Sequence, residues 1–319
     1  VVEYVFALCA PGAERALKRE VERRELPWAS SYQRPGFVTF RTEEGVPDPL
    51  PAFTWARERS LSVGRAALPW TPEALREQLG AVEVLRVSAR EPALDPVALA
   101  LAEQLGVTSP AAPRVGEVVG ELVVVGPEEL WLGVHTHDVS HSPRAGGVWP
   151  SEPPPEAPSR AYLKLEAVLA SWGCEPAAGE HALELGSAPG GATWALLSRG
   201  LHVTGVDPAD MDPRIIAHPN YRHVRGSISV LPVSQLPART DWLLADMNVP
   251  PRQTLRAARR VLDVLEVPPR ALVLTLKLKD WALAEQVSSW TDLVRSWGYR
   301  EVRARQLWPH RQELAITAR

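Results

Sequence analysis

The chain has 319 residues, of which 23% are charged and 45% hydrophobic, and its formal net charge is −3. That length suits two domains of ordinary globular composition, and no apolar run approaches the roughly 20 residues of a membrane helix. Cys9 and Cys174 are too few for a disulfide framework or a cysteine-rich metal centre, and the charge excludes a uniformly basic nucleic-acid coat but not a local basic face. The opening stretch VVEYVFALCAPGAERALKRE has acidic and aromatic residues early and lacks the basic-then-apolar layout of a secretory signal, so a cytoplasmic location is expected.

In chain order, residues 2–8 predict a strand and 11–25 an amphipathic helix entered through Pro11-Gly12. A strand follows at 37–42, a short helix at 72–79, a strand at 84–89, a helix at 95–106, and two strands at 120–126 and 129–135. Residues 1–150 therefore read as an α/β region of one or two small units. His135, His137 and His141 lie close together, but no cysteine stands near them. Alternation puts His135 and His137 on one strand face, so no metal is expected and the three are read as strand-end or surface residues.

Four prolines between Ser151 and Pro158 can continue neither a helix nor a central strand, which marks 151–158 as a linker. Charge divides across it: residues 1–155 hold 15 basic and 21 acidic side chains, residues 156–319 hold 20 and 17. Beyond it, Ser159 is placed to cap a helix over 160–172 that Gly173 stops. Strands are predicted at 182–186, 202–207, 221–226, 241–247 and 271–278, with helices at 192–199, 252–266 and 280–297. Residues 301–307 and 313–319 close the pattern as a hairpin. Seven strands with helices between the earlier ones describe a doubly wound parallel sheet ending in an antiparallel hairpin over 159–319.

The segment Glu184-Leu185-Gly186-Ser187-Ala188-Pro189-Gly190-Gly191 follows a strand and opens a helix. Glycines let a ligand approach the backbone, and the helix start offers free N–H groups. Ala188 replaces the second glycine of a dinucleotide fingerprint, and no Lys-Ser/Thr follows as in a P-loop. Asp207, at the end of the next strand, is placed to accept both hydroxyls of a ribose. An acid there without a phosphate-binding lysine points to a nucleoside ligand, and S-adenosyl-L-methionine (SAM) fits.

Lysine is rare: Lys18, Lys164, Lys277 and Lys279 stand against 31 arginines. Codon bias accounts for most of that excess, but in such a chain a lysine marks a place where losing a proton matters, which arginine cannot do.

Over 157–319 these features resemble the FtsJ/RrmJ-like ribose 2′-O-methyltransferases. The L-G-x-x-P-G-G run at 185–191 is similar to their SAM loop, APSRAYLKLE at 157–166 to their lysine-bearing helix, and RARQLWPHRQEL at 303–314 to the C-terminal hairpin of the branch that methylates a cytidine of large-subunit ribosomal RNA. The resemblance implies a seven-stranded Rossmann-like SAM methyltransferase domain preceded by a THUMP-like RNA-binding region. It implies SAM as cofactor and large-subunit ribosomal RNA or its precursor as partner, with no membrane involved. Glu184, Gly186, Ser187, Ala188, Pro189, Gly190, Gly191, Asp207, Ser227 and Asp246 become the cofactor-binding set. Glu184 stands where the family usually has Asp, Ser227 where it usually has an acid, and Ala192 where it has an aromatic residue.

The family's catalytic Lys-Asp-Lys-Glu set falls on Lys164, Asp246, Lys277 and Glu313. Topology leads to the same grouping. Asp246 and Lys277 end parallel strands, Glu313 begins an antiparallel one, and all three belong to the carboxyl edge where such sheets bind ligands. The helix bearing Lys164 immediately precedes the sheet. A ribose hydroxyl is a very weak acid, so Lys277 is assigned as base, tuned by Lys164 and oriented by Asp246 and Glu313. Lys279 is read as an RNA-binding or structural residue. Arg252, Arg256, Arg259, Arg260, Arg303, Arg305 and Arg311 form either a solvated face or phosphate contacts, and Trp308 is the candidate for nucleotide stacking. Two other functions remain compatible with the sequence: SAM-dependent methylation of an RNA base or small molecule, and a non-catalytic RNA-binding or ribosome-assembly role.

Overall fold

The computed structural model describes residues 2–66, 68–107 and 112–319, and the chain divides into two compact units, Val1–Val148 and Trp149–Arg319. The first contains β1 (Glu3–Cys9), α1 (Glu14–Arg23), β2 (Ala29–Arg34), β3 (Phe37–Thr42), β4 (Ala56–Ala66), α2 (Pro72–Leu79), β5 (Val84–Ala89), α3 (Asp95–Gln104), β6 (Val118–Gly126) and β7 (Glu129–Thr136). All seven strands join one sheet in the order β2-β3-β1-β4-β7-β6-β5, rather than two small ones. Leu75 and Leu79 of α2 and Ala98 and Leu101 of α3 bury their apolar sides with Leu122, Val124, Leu130 and Leu132 of β6 and β7. Burial of this kind is worth about 25 cal/mol per Å² of apolar surface.

Strands β2 and β4 were not expected. β2 (ASSYQR) is polar and largely exposed, so it carries no alternation to read. β4 sits mid-sheet, yet buries Arg57, Glu58, Arg59 and Ser60 in succession. These charges survive burial because they are bonded. Arg57 donates from Nε to Gly146 O at 3.0 Å and from Nη1 to Cys9 O at 3.1 Å. Glu58 lies 3.3 Å from Arg86 Nη2, and Arg86 Nε lies 3.0 Å from Glu121. Such a paired network is costly to break even where it adds little net stability. Of the strand-end and surface readings of His135, His137 and His141, the surface one is overturned: all three are buried.

The second unit contains α4 (Ala161–Trp172), β8 (His181–Leu185), α5 (Gly191–Leu197), β9 (His202–Asp207), the single turn α6 (Pro213–Ile216), β10 (Tyr221–Arg225), β11 (Trp242–Ala245), α7 (Pro251–Leu262), β12 (Ala271–Lys277), α8 (Val287–Arg295), β13 (Val302–Arg305) and β14 (Glu313–Ala318). Its sheet order is β10-β9-β8-β11-β12-β14-β13. The first five strands in that order run parallel; β14 pairs antiparallel with both β12 and β13. Leu165, Val168, Leu169 and Trp172 of α4 and Ala195 and Leu196 of α5 share a core with Ala182, Val203, Trp242, Leu244 and Val273. The alternate strand positions Leu183, Leu243, Leu272 and Leu274 are equally buried, so the sheet is covered on both faces, as parallel strands require. Two local readings change. Arg160, not Ser159, is the N-cap of α4, although Ser159 Oγ still accepts from Ala161 N at 3.4 Å. The helix expected over 280–297 opens as a 3₁₀ segment, Trp281–Gln286, before α8 begins.

Candidate active site

Strand order reverses at β8, whose successor β9 lies on one side while β11 lies on the other. A crevice at such a switch point is where open α/β sheets hold ligands. The loop after β8 is built from glycines that nothing larger could replace. Gly186 has φ 79° and Gly190 φ 118°. A Cβ on Gly186 would stand 2.7 Å from the Asp246 carbonyl oxygen, and one on Gly191 would stand 2.6 Å from the Ser159 carbonyl oxygen and 2.9 Å from Tyr162 N. The loop is thereby drawn against the end of β11 on one side and the start of α4 on the other.

Asp207 ends β9 beside this loop. Its Oδ2 accepts from Ala188 N at 3.1 Å and its Oδ1 from Ala209 N at 2.8 Å. The two amides hold the carboxylate still while leaving further lone pairs on both oxygens. Ser187 is buried with its Oγ 3.5 Å from Met211 Sδ. Ser227 Oγ lies 2.8 Å from Ser229 Oγ, and both line a cavity of about 440 Å³ with Ile228, Met247, Val249 and Gln253. That volume falls within the range of small-molecule sites.

Lys164, Asp246, Lys277 and Glu313 come together as one closed set. Lys164 Nζ lies 3.1 Å from Asp246 Oδ2 and 2.5 Å from Glu313 Oε1. Lys277 Nζ lies 2.7 Å from Asp246 Oδ1 and also pairs with Glu313 Oε2. Each element supplies one member: the first turn of α4, the residue after β11, the last residue of β12 and the first of β14. Lys277 and Glu313 are cross-strand partners in the antiparallel register, which fixes that pair by backbone hydrogen bonding. Asp246 is anchored by donating its backbone N–H to Leu185 O at 3.0 Å.

The electrostatics differ from the expectation that Lys164 would lower Lys277. Burial disfavours the Lys277 ammonium, but Asp246 and Glu313 outweigh it and push the group above its ordinary range. Burial likewise disfavours the Asp246 carboxylate, yet Lys164 and Lys277 together hold it below its usual range. As it stands, Lys277 is an ammonium bound by two carboxylates.

Two further ionisable groups sit beneath this set. Burial pushes the Glu184 carboxyl up to about 8, against the lowering effect of a hydrogen bond from Thr193 Oγ1 at 2.6 Å. Burial, and then the charge of Lys164, push His310 down to about 3. Both line a cavity of about 20 Å³ with Lys164 and Asp246, room for one water. His310 accepts from Leu307 N at 3.1 Å through Nδ1, and its Nε2 has no hydrogen-bond partner among the described residues. Sequence reasoning missed His310 and Thr193, because neither belongs to a spacing pattern. His310 is tucked inward by the 3₁₀ turn Trp308–His310, which lies between β13 and β14.

Other candidates stand apart. Lys279 lies past the end of β12 and is exposed. Arg252, Arg256 and Arg259 are exposed on α7, Arg259 in an ion pair with Asp263 at 2.6 Å, while Arg260 donates to Leu231 O at 2.8 Å. Arg303 pairs with Glu301 at 2.6 Å, Arg311 is exposed, and Arg305 and Trp308 are half-buried. Among the described residues, no helix is long and apolar enough to cross a membrane.

Comparison with known proteins finds the following likenesses. Residues 157–287 match the FtsJ-like methyltransferase family. The ribosomal RNA large subunit methyltransferase M of Halorhodospira halophila is 37% identical over 186 residues, covering 56% of this chain and 52% of that protein. The protein of the same name from Xylella fastidiosa (strain M12) is 33% identical over 178 residues, covering 51% and 48%. The chain thus spans about half the length of these curated relatives. Among solved structures, TrmN from Thermus thermophilus is similar over 99% of both chains at 17% identity, with a TM-score of 0.38. The stretch similar to the FtsJ-like methyltransferase family, residues 157–287, carries the glycine loop, Lys164, Asp207, Asp246 and Lys277.

Proposed function

We propose that the chain is a SAM-dependent 2′-O-ribose methyltransferase of ribosomal RNA, acting in the cytoplasm on a cytidine of the large-subunit (23S) RNA or its precursor. The observation that carries this reading is the closed set of Lys164, Asp246, Lys277 and Glu313 at the switch-point crevice. The names of the relatives support the substrate class. Residues 159–319 do the chemistry, 151–158 link, and 1–150 act as a THUMP-like region that positions RNA.

The residues present suit SAM. The immobilised Asp207 carboxylate takes the ribose hydroxyls, the loop at Gly186, Ser187, Ala188, Pro189, Gly190 and Gly191 takes the amino-acid end with Asp246 and Glu184 nearby, and Ser227 borders the cavity that suits a base. Bound SAM supplies an electrophilic methyl group. The protein's task is to hold the 2′-hydroxyl in line and remove its proton. Lys277 takes that proton on Nζ, and to do so it must first give one up. When RNA closes the site and water leaves, both charges of the Lys277–Glu313 pair lose hydration, which favours moving the proton to Glu313 and leaving Lys277 as the amine. Lys164 and Asp246 stay charged and orient the pair.

The test compares ribosomal RNA from cells with and without the protein, digested to nucleosides. Loss of one 2′-O-methylcytidine is expected. A methyl missing from a base instead would identify a different acceptor, and RNA binding with no methyl difference would leave a non-catalytic protein. Calorimetry checks the cofactor: SAM binding should be saturable and fall strongly in Asp207→Ala, and equal affinity in the folded variant would remove Asp207 from the site.

A further inference from the structure

The first unit holds a second constellation that the methyltransferase chemistry does not use. His135 lies at the end of β7, with His137 and His141 just beyond it. One ring nitrogen from each lies within 4.8 Å of the others. The three residues are only 5%, 5% and 1% exposed. Each ring is held so that a nitrogen is left over. His135 Nδ1 lies 3.1 Å from Ser60 Oγ, leaving Nε2 without a hydrogen-bond partner among the described residues. His141 Nδ1 lies 3.0 Å from Asp138 Oδ1, and its Nε2 likewise has no hydrogen-bond partner among the described residues. His137 Nδ1 is the third orphan. Buried polar atoms are almost always satisfied, so three unsatisfied nitrogens in one cluster call for a shared occupant.

The supporting residues have the form of a metal site. Imidazole ligands usually engage their second nitrogen with a carboxylate, hydroxyl or carbonyl, which fixes the tautomer and aims the free lone pair. Ser60 and Asp138 do this for His135 and His141. Glu58, fully buried in β4, brings Oε1 to 3.8 Å from His141 Nε2. The arginines that face the cluster are already countered. Arg86 Nη2 is 3.3 Å from Glu58, and Arg59 Nη2 is 3.8 Å from Asp138. A proton cannot serve this cluster well. The rings of His135 and His141 stack at 4.0 Å, where two imidazoliums would repel, whereas one dication can satisfy all three nitrogens.

We propose that His135, His137 and His141, with Glu58 as fourth ligand, form a zinc site in the first unit. Three imidazoles and a carboxylate suit zinc, whose tetrahedral ligand atoms at about 2.1 Å from the metal stand about 3.4 Å from one another. Binding therefore draws the cluster together and splays the stacked rings of His135 and His141 so that their lone pairs converge. Four protein ligands close the site, which makes it structural: it ties the segment after β7 to β4.

The test uses the full chain, stripped with chelator and titrated with zinc chloride alone. One zinc per chain is expected, with X-ray absorption showing several imidazole nitrogens at about 2.0–2.1 Å. His137→Ala should weaken binding at least about 100-fold, beyond the 10–100-fold typical of losing an outer partner, and Ser60→Ala should fall within that smaller range. His202→Ala, an exposed histidine of the second unit, should leave binding unchanged. Zinc well below one equivalent, a coordination shell without imidazole, or unchanged affinity in a folded His137→Ala would overturn the site. The absorption measurement on the unaltered protein decides the matter if His137→Ala does not fold.

Discussion

Lys164 and Lys277 each touch both Asp246 and Glu313, so removing any one of the four leaves one charge of the opposite sign uncompensated in a part-buried place. This is why a substitution that keeps charge is more informative than alanine. Lys277→Arg retains the cation and approximate length but cannot deliver an amine at neutral pH. Single-turnover methyl transfer should fall by at least about 100-fold, the lower bound for general acid–base catalysis, with SAM affinity little changed. Lys279→Arg makes the same chemical change at an exposed position and should be mild. Near-normal transfer in Lys277→Arg would end its assignment as base, and exchanged phenotypes would move the role to Lys279. Glu184 supports a separate test. Its folded-state pKa of about 8 lies above that of an unfolded glutamate, so its contribution to stability is intact below about pH 4.3 and is lost as pH rises through 8. Between pH 5 and 7 the wild type should lose stability relative to Glu184→Gln by up to about 1.4 kcal/mol per pH unit. Urea unfolding at stepped pH checks this, and parallel profiles would show that Glu184 is already ionised in the fold.

At the scale of elements, legibility followed the apolar pattern. β8, β9, β11 and β12 are short, mostly apolar buried runs, and they could be read. β4 could not, because its centre is Arg57-Glu58-Arg59-Ser60 and its burial depends on partners far along the chain, Arg86 and Gly146 among them. The clustering of Asp246, Lys277 and Glu313 was legible for a different reason: in a parallel sheet every strand ends at the same edge, so topology alone groups strand-end residues. What topology could not supply was the charge balance, since two carboxylates rather than one cation govern Lys277. Nor could it show why α4 delivers Lys164 so accurately. The close approach of Gly191 to Ser159 O and Tyr162 N answers that, because both are backbone atoms at the helix start. Gly191→Ala should push α4 away, costing about 1–3 kcal/mol as overpacking does, and should slow transfer by displacing Lys164. Thermal unfolding and single-turnover rates measure both effects. An unchanged melting temperature with an unchanged rate would mean that α4 is located by other contacts.

At the scale of the whole molecule, the two units differ in charge balance as well as in architecture. The first carries more acidic than basic side chains, the second the reverse, and the glycine loop and the cluster of Lys164, Asp246, Lys277 and Glu313 lie in the second. The second also has its own seven-stranded sheet and its own core, so its stability does not depend on strands borrowed from the first. If residues 1–150 position RNA, their loss should separate two properties that a single-domain enzyme would lose together. A protein of residues 151–319 should bind SAM with nearly the affinity of the full chain, because Asp207 and the loop after β8 are intact. It should lose most methylation of natural ribosomal RNA, because correct placement of a substrate is worth several kcal/mol of the barrier and a small domain cannot supply that alone. Calorimetry with SAM and methyl transfer to large-subunit RNA, performed on the same preparation, give the two readings. Full transfer by the shortened protein would assign RNA selection to the second unit itself, with the exposed arginines of α7 as the first residues to examine there.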